Sequence, residues 1–249
     1  MALIYSQTGK TKSDVLEVSK GFAHLAIATD AALSEITTEV ITLYVERKGD
    51  TADICREMLL LDFIALGTEG QDAIVSMDGF ATVACCDLTV NGGNIKLGEN
   101  EKIKIALTNL KSAKTYQLNS IESSFEDSEL QDYTRKTMAS ETLNQDFDVR
   151  GHDLLSLQKD ASITEINFTY DNGHVAKMDA YEAELFHKTL DPVVAITSAG
   201  AVQSGFANRL VFNLTGITAV NIRKSAGTLL NFSTRINEYD AIRYNVKRN

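Results

Sequence analysis

The sequence predicts an all-β protein built as two β-sandwiches, each with a short helix in one connecting loop. Three observations carry that expectation. Short β-type runs recur with Gly and Asn between them, and one strand–turn–helix pattern occurs twice, about half a chain length apart. A polar stretch separates the two occurrences.

Taken in order, "VLEV" (Val15–Val18) and "AHLAIA" (Ala23–Ala28) are the first β-type runs. In "EVITLYVE" (Glu39–Glu46), Ile41, Leu43 and Val45 alternate with Val40, Thr42 and Tyr44, as a strand covered on both faces would. "AIVSM" (Ala73–Met77), "ATVACCDLTV" (Ala81–Val90), "KIKIALTNL" (Lys102–Leu110) and "KTYQLNSI" (Lys114–Ile121) follow, broken by Asp78-Gly79 and by "NGGN" at Asn91–Asn94. Such spacing is that of a sandwich or barrel. From Glu122 to Gln145 the chain turns acidic and Ser/Thr-rich, which reads as a linker or short surface helix. The second half repeats the grammar with "DLLSLQ" (Asp153–Gln158), "SITEINFTYD" (Ser162–Asp171), "PVVAIT" (Pro192–Thr197), "RLVFNLTGI" (Arg209–Ile217), "AVNIRK" (Ala219–Lys224) and "LLNFSTRI" (Leu229–Ile236).

Several anchors align the halves. "HLAI" from His24 matches "HDLL" from His152, and the strand of Ile41, Leu43 and Val45 matches Ile166, Phe168 and Tyr170. A turn glycine follows each, Gly49 and Gly173, and then a helical stripe: Ile54, Met58 and Leu61 in one half, Met178, Tyr181, Leu185 and Phe186 in the other. "IALTNLKSA" (Ile105–Ala113) resembles "FNLTGITAV" (Phe212–Val220).

The net charge of -10 argues against the nucleic-acid backbone as main partner and against sequence-specific nucleic-acid binding. No window approaches the roughly 18 apolar residues of a membrane span, and the start of the chain lacks the features of a signal peptide. Cys55, Cys85 and Cys86 make an odd set, which disfavours structural disulfides and fits folding in a reducing cytosol.

With "ITLYVERKGDTADICREMLLL" and "INFTYDNGHVAKMDAYEAELF" as its two helix-bearing units, the chain resembles the double jelly-roll major capsid proteins of tailless, membrane-containing icosahedral phages of the corticovirus and tectivirus type. The resemblance implies two jelly rolls side by side: residues 1–121 with an N-terminal arm, a linker at 122–145, and residues 146–249 with a basic tail. It also implies a homotrimer whose pseudo-hexagonal capsomers tile a shell in the virion, with minor capsid or membrane proteins and an internal lipid membrane as further partners. Lys10, Lys12, Arg243, Lys247 and Arg248 are the residues expected to face that inner surface. The alternative is a receptor- or carbohydrate-binding β-sandwich, such as a phage spike or fibre component; the absence of Trp counts against a sugar platform.

No motif points to an enzyme or a cofactor. "TGKTKS" (Thr8–Ser13) lacks the leading glycine of a phosphate loop, since Ile4 stands there, and the β-type run after it should be a helix. It reads as a mobile N-terminal arm. "NGGNIKLGENEKI" (Asn91–Ile103) reads as a hairpin turn and loop, and "DNGH" (Asp171–His174) as a turn. His24, His152, His174 and His187 have no zinc spacing, and the first two suit structural roles at strand starts. Glu126, Asp127, Glu129 and Asp132 are the candidate calcium ligands, with a solvated acidic loop as the simpler reading. Cys85 and Cys86 should face opposite sides of a strand, and Asp179 with Glu182 should be surface charge on a helix.

Overall fold

The computed structural model describes residues 1–68, 74–190, 194–196, 202–204, 206 and 208–236. Its strands run β1 (Ala2–Thr8), β2 (Leu16–Val18), β3 (His24–Thr29), β4 (Val40–Arg47) and β5 (Asp50–Leu59), then helix α1 (Leu60–Gly67). Next come β6 (Ile74–Met77), β7 (Phe80–Asp87), β8 (Asn94–Ile95), β9 (Lys102–Thr108), β10 (Thr115–Ile121) and β11 (Glu126–Asp127). The second half has β12 (Tyr133–Met138), β13 (Asn144–Asp148), β14 (His152–Gln158), β15 (Ile163–Tyr170), β16 (Val175–Asp179) and helix α2 (Ala180–Leu190). It ends with β17 (Val194–Ile196), β18 (Val202–Ser204), β19 (Arg209–Asn213), β20 (Ile217–Lys224) and β21 (Leu230–Ile236). Among the described residues no helix is long and apolar enough to cross a membrane.

The chain divides into two compact units. Unit 1 holds Met1–Tyr133 together with β17 and β18, and unit 2 holds the described parts of Thr134–Asp191 and Asn208–Arg248. In unit 1 let β1, β2, β3, β4, β5, β7, β9 and β10 be lettered B to I. One sheet then contains B-I-D-G in that order and the other contains C-H-E-F. In unit 2 the same letters fall on β12, β13, β14, β15, β16, β19, β20 and β21, and the two sheet orders are again B-I-D-G and C-H-E-F. This interleaving is the eight-stranded jelly roll. In both units the helix sits between F and G.

The period-2 pattern explains each core. In unit 1, Ile41, Leu43 and Val45 of β4 and Ile103, Ile105 and Leu107 of β9 are all buried, as are Tyr116 and Leu118 of β10. Each fully buried large aliphatic side chain contributes roughly 1.5–3 kcal/mol. In unit 2, Leu155, Leu157, Ile166, Phe168, Phe212, Val220, Ile222 and Phe232 share one cluster. Within it Phe147 stacks on Phe232 at 4.1 Å and Phe168 meets Phe212 edge-on at 5.3 Å.

Several expectations need correction. The helices begin later than the stripes suggest: Ile54 and Met58 lie on β5 and Met178 on β16, so the repeated unit is strand, turn, strand, helix. Positions 54 and 58 satisfy both periodicities, which is why the stripe looked helical. The N-terminal residues form no free arm, because Ala2–Thr8 pairs antiparallel with β10. The stretch 122–145 is neither helix nor plain linker, since it carries β11, β12 and the first residues of β13. "IALT" belongs to strand H of unit 1 whereas "FNLTGITAV" spans G and H of unit 2, so that anchor pairs unequal positions. "PVVAIT" supplies β17, which joins the sheet of unit 1 parallel to β6 at Ala195–Ile74 and Ile196–Val75.

Candidate functional site

Turn chemistry places the two halves' equivalent elements. Gly49 and Gly173 close the E–F hairpins at φ +83° and +81°, a region that glycine enters without strain. In the second hairpin Asn172 Oδ1 accepts the His174 amide at 2.9 Å and Gly173 N donates to Tyr170 O at 2.9 Å. His24 and His152 both open strand D, as their sequence positions suggest. Their surroundings differ. His24 Nδ1 lies 2.6 Å from Asp87 Oδ1, while His152 is buried with Nδ1 unpartnered among the described residues. Burial, and next the nearby Lys136, push the His152 imidazole down to about 4, against the opposing pull of Asp153 and Asp148.

The chemistry-bearing groups are held in structural contacts. Asp179 Oδ1 accepts the Glu182 amide at 2.8 Å and Glu182 Oε2 accepts the Asp179 amide at 3.0 Å. That pair is therefore exposed charge, as expected, and it also forms the capping box of α2. His187 Nδ1 accepts the Val211 amide at 2.9 Å, tying α2 to β19. Cys86 is buried and Cys85 half-buried, as opposite faces of β7 require. Burial pushes the Cys55 and Cys86 thiols up, so both stay protonated and poorly nucleophilic. Glu39, buried, accepts the amides of Thr37 and Thr38 in the D–E loop and the Tyr116 hydroxyl of β10.

The acidic segment is stitched to the "NGGN" loop, which is accordingly not an independent hairpin. β11 pairs parallel with β8, Asp127 Oδ2 accepts the Asn91 amide at 2.8 Å, and Oδ1 accepts the Glu129 amide at 2.9 Å. Of the candidate calcium ligands, Asp127 and Asp132 are buried and Glu126 is exposed. Among the described residues no group of three or more His, Cys, Asp or Glu is placed to hold a metal ion. Arg243, Lys247 and Arg248 lie outside the described residues, whereas Lys10 and Lys12 stand exposed on the loop between β1 and β2.

What the units do present is edges and apolar spots. β1 and β2 end their sheets in unit 1, and β13 and β16 end theirs in unit 2, each with one side unpaired among the described residues. Leu3 on β1 is 62% exposed, and Tyr181 and Leu185 on α2 are 74% and 52% exposed. Two open grooves border β1, one of about 450 Å³ beside Leu3, Val18 and Phe22, the other of about 390 Å³ beside Tyr5, Lys10 and Lys12. The outer face of the C-H-E-F sheet in unit 1 is charged. There Lys102 and then Lys104 hold the Glu17 carboxylate down to about 2, and Glu46 is 3.0 Å from Lys104. The sequence hid these features, since an edge strand and a central strand share one residue alphabet.

Neither a family model nor a curated protein matches the sequence. Among solved structures, the major capsid protein P2 of bacteriophage PM2 is similar at 9% identity over 94% of both chains, with a TM-score of 0.49. The STIV MCP is similar at 8% identity over 99% of this chain and 97% of that one, with a TM-score of 0.48. A structure of Sulfolobus Turreted Icosahedral Virus is similar at 8% identity over 96% and 93%, also with a TM-score of 0.48. At such values the fold assignment rests on strand order and not on these likenesses. With B-I-D-G and C-H-E-F sheets complete in each half and a helix between F and G in both, the chain is a double jelly-roll protein.

Proposed function

We propose that this protein is the major capsid subunit of an icosahedral virus, located in the virion. The observation that carries the reading is the duplication: one chain holds two complete jelly rolls with the same strand order and the same helix placement. Two such units in each of three chains supply six near-equivalent walls, which is what a pseudo-hexagonal capsomer needs to tile a shell with closed contacts. The open edges of β1, β2, β13 and β16 and the exposed Tyr181 and Leu185 are the surfaces such contacts would cover. On this reading the chain is made in the host cytoplasm, and its partners are copies of itself, with minor capsid or membrane proteins and a lipid layer on the inner side as the further partners the reading implies.

Light scattering on a sizing column tests this first. A heat-stable species near three times 27.3 kDa, or larger shell-like particles, is the expected result. A monomer across the micromolar range overturns it and favours the receptor- or carbohydrate-binding alternative, which a glycan screen would then examine.

A further inference from the structure

Sheet edges in soluble proteins are guarded: short strands, charged side chains, proline or a covering element keep a further strand from pairing there. The described edges of this protein follow that rule, with one exception. β2, β8, β11 and β18 are two or three residues long. β13 carries Asp146 and Asp148, and β16 carries Lys177 and Asp179. β19 carries Arg209 and is covered, because its Val211 amide donates to His187 Nδ1 of α2. β1 is the exception. Its seven residues, "ALIYSQT", include no charge and no proline, and Tyr5 alone of the seven is buried. Its one irregularity is a register shift between Leu3 and Tyr5; from Tyr5 to Thr8 it pairs regularly with β10. On its other side, unpaired among the described residues, it presents a row of backbone donors and acceptors beside the exposed Leu3.

We infer that β1 pairs antiparallel with β1 of a second copy across a two-fold axis, joining two B-I-D-G sheets into one. The occupant must itself offer a free, uncharged edge of like length, and among the described edges only β1 of another copy does. The flanks of the strand set the direction. The groove beside Ala2–Ile4 is bordered by two carboxylates and one ammonium group, Glu17, Glu122 and Lys20, and the groove beside Tyr5 and Gln7 by the reverse, Lys10, Lys12 and Asp14. An antiparallel copy brings unlike ends together twice, whereas a parallel copy sets like ends side by side. Glu17 and Glu122 already hold lysines of their own copy, so these charges orient the pair, and backbone hydrogen bonds with Leu3 supply its strength. Two-fold pairing closes at two copies, which keeps an unguarded edge from open-ended growth. An edge that pairs with itself cannot make a three-fold contact, which needs two different surfaces. The inference therefore deepens the capsid reading, on which its role in a shell rests: β1 links one capsomer to the next and takes no part in holding the trimer.

The test is sedimentation velocity of the full chain over a concentration series, with hydrogen exchange on the same samples. The basic species, trimer or monomer, should double in mass as concentration rises, and the β1 amides should slow their exchange in step. Leu3→Lys with Ser6→Lys guards the edge as β16 is guarded, and both positions are exposed, so the melting temperature should stay unchanged. That pair should abolish the doubling and the concentration-dependent protection. The charge-matched pair Leu143→Lys and Leu229→Lys, also exposed, should leave both intact. Whether the basic species is a trimer reports on the capsid reading separately, since the β1 variants leave the three-fold contact untouched. A mass that never doubles, or a doubling that survives Leu3→Lys with Ser6→Lys, overturns the inference. So does β1 protection that is independent of concentration and vanishes in a chain ending at Ile236, which would assign the edge to residues 237–249 instead.

Discussion

Helix α1 follows β5 and helix α2 follows β16, the same F-to-G connection in each unit. All eight residues of α1 are buried, while Tyr181, Glu182 and Leu185 of α2 face solvent. The difference begins in the sequences. "LLDFIALG" is apolar nearly all round, whereas "AYEAELFHKTL" is mixed. It is completed by packing. Gly67 lets α1 approach β7 so closely that a Cβ there would lie 2.8 Å from the Cys86 Cβ. Through His187, by contrast, α2 is tied to β19 while Tyr181 and Leu185 stay exposed. Topological equivalence fixes where a connection runs, and side-chain chemistry decides whether it becomes core or surface.

Substitutions can break this contrast in order of expected effect. Phe63→Ala in α1 should cost about 3–5 kcal/mol in denaturant unfolding, since Phe63 is fully buried and packs edge-on to Tyr133 at 5.2 Å. A loss below about 1 kcal/mol would show that α1 is less integral than its burial implies.

The two D-strand histidines sharpen the comparison next. Folding holds the His152 imidazole at about 4, below its ordinary 6.5. Between those values the unfolded chain takes up a proton that the folded chain refuses. Stability therefore falls as pH drops from about 6.5 to about 4 and levels off below, by roughly 3 kcal/mol in all. His152→Gln should flatten that part of the stability curve measured by urea unfolding; an unchanged slope would remove His152 as its source.

Gly67→Ala should cost about 1–3 kcal/mol through overpacking against Cys86. An unchanged melting temperature would mean that α1 shifts freely. The smallest effect belongs to α2. Tyr181→Ser and Leu185→Ser should each change monomer stability by less than about 0.5 kcal/mol. On the capsid reading the pair should nonetheless reduce assembly seen by light scattering, and normal assembly would show that this face lies outside the contacts.

Much of the architecture was legible because it is local. The hairpin glycines at 49 and 173 and the histidines opening strand D sit at equivalent places in both units, as the repeat predicted. Strands β3, β4, β9, β10, β14 and β15 were visible as alternating runs bounded by turn residues. The F strands were not, because Ile54 and Met58 fit a helix as well as a strand, and Glu57 interrupts β5 at φ +45°. β12 hid within polar "DYTRKTM" because strand pairing is made by the backbone, which every residue shares. Of the candidate site, the exposed loop lysines Lys10 and Lys12 were readable but the sheet edges at β1, β2, β13 and β16 were not, since which strand ends a sheet is a property of its surroundings.

By itself, then, the sequence determined that the chain is all-β, that it is built twice, and where its tight turns fall. Those follow from period-2 patterning and from glycine's freedom at positive φ, which act over a few residues. Only the tertiary structure decided that each half closes as B-I-D-G over C-H-E-F, and that β17, from the second half, pairs with β6 in the sheet of unit 1. Only it decided, too, that Asp127 bonds loop amides. Those outcomes depend on backbone donors and acceptors far apart in the chain finding one another, and the residue alphabet does not encode such pairings locally.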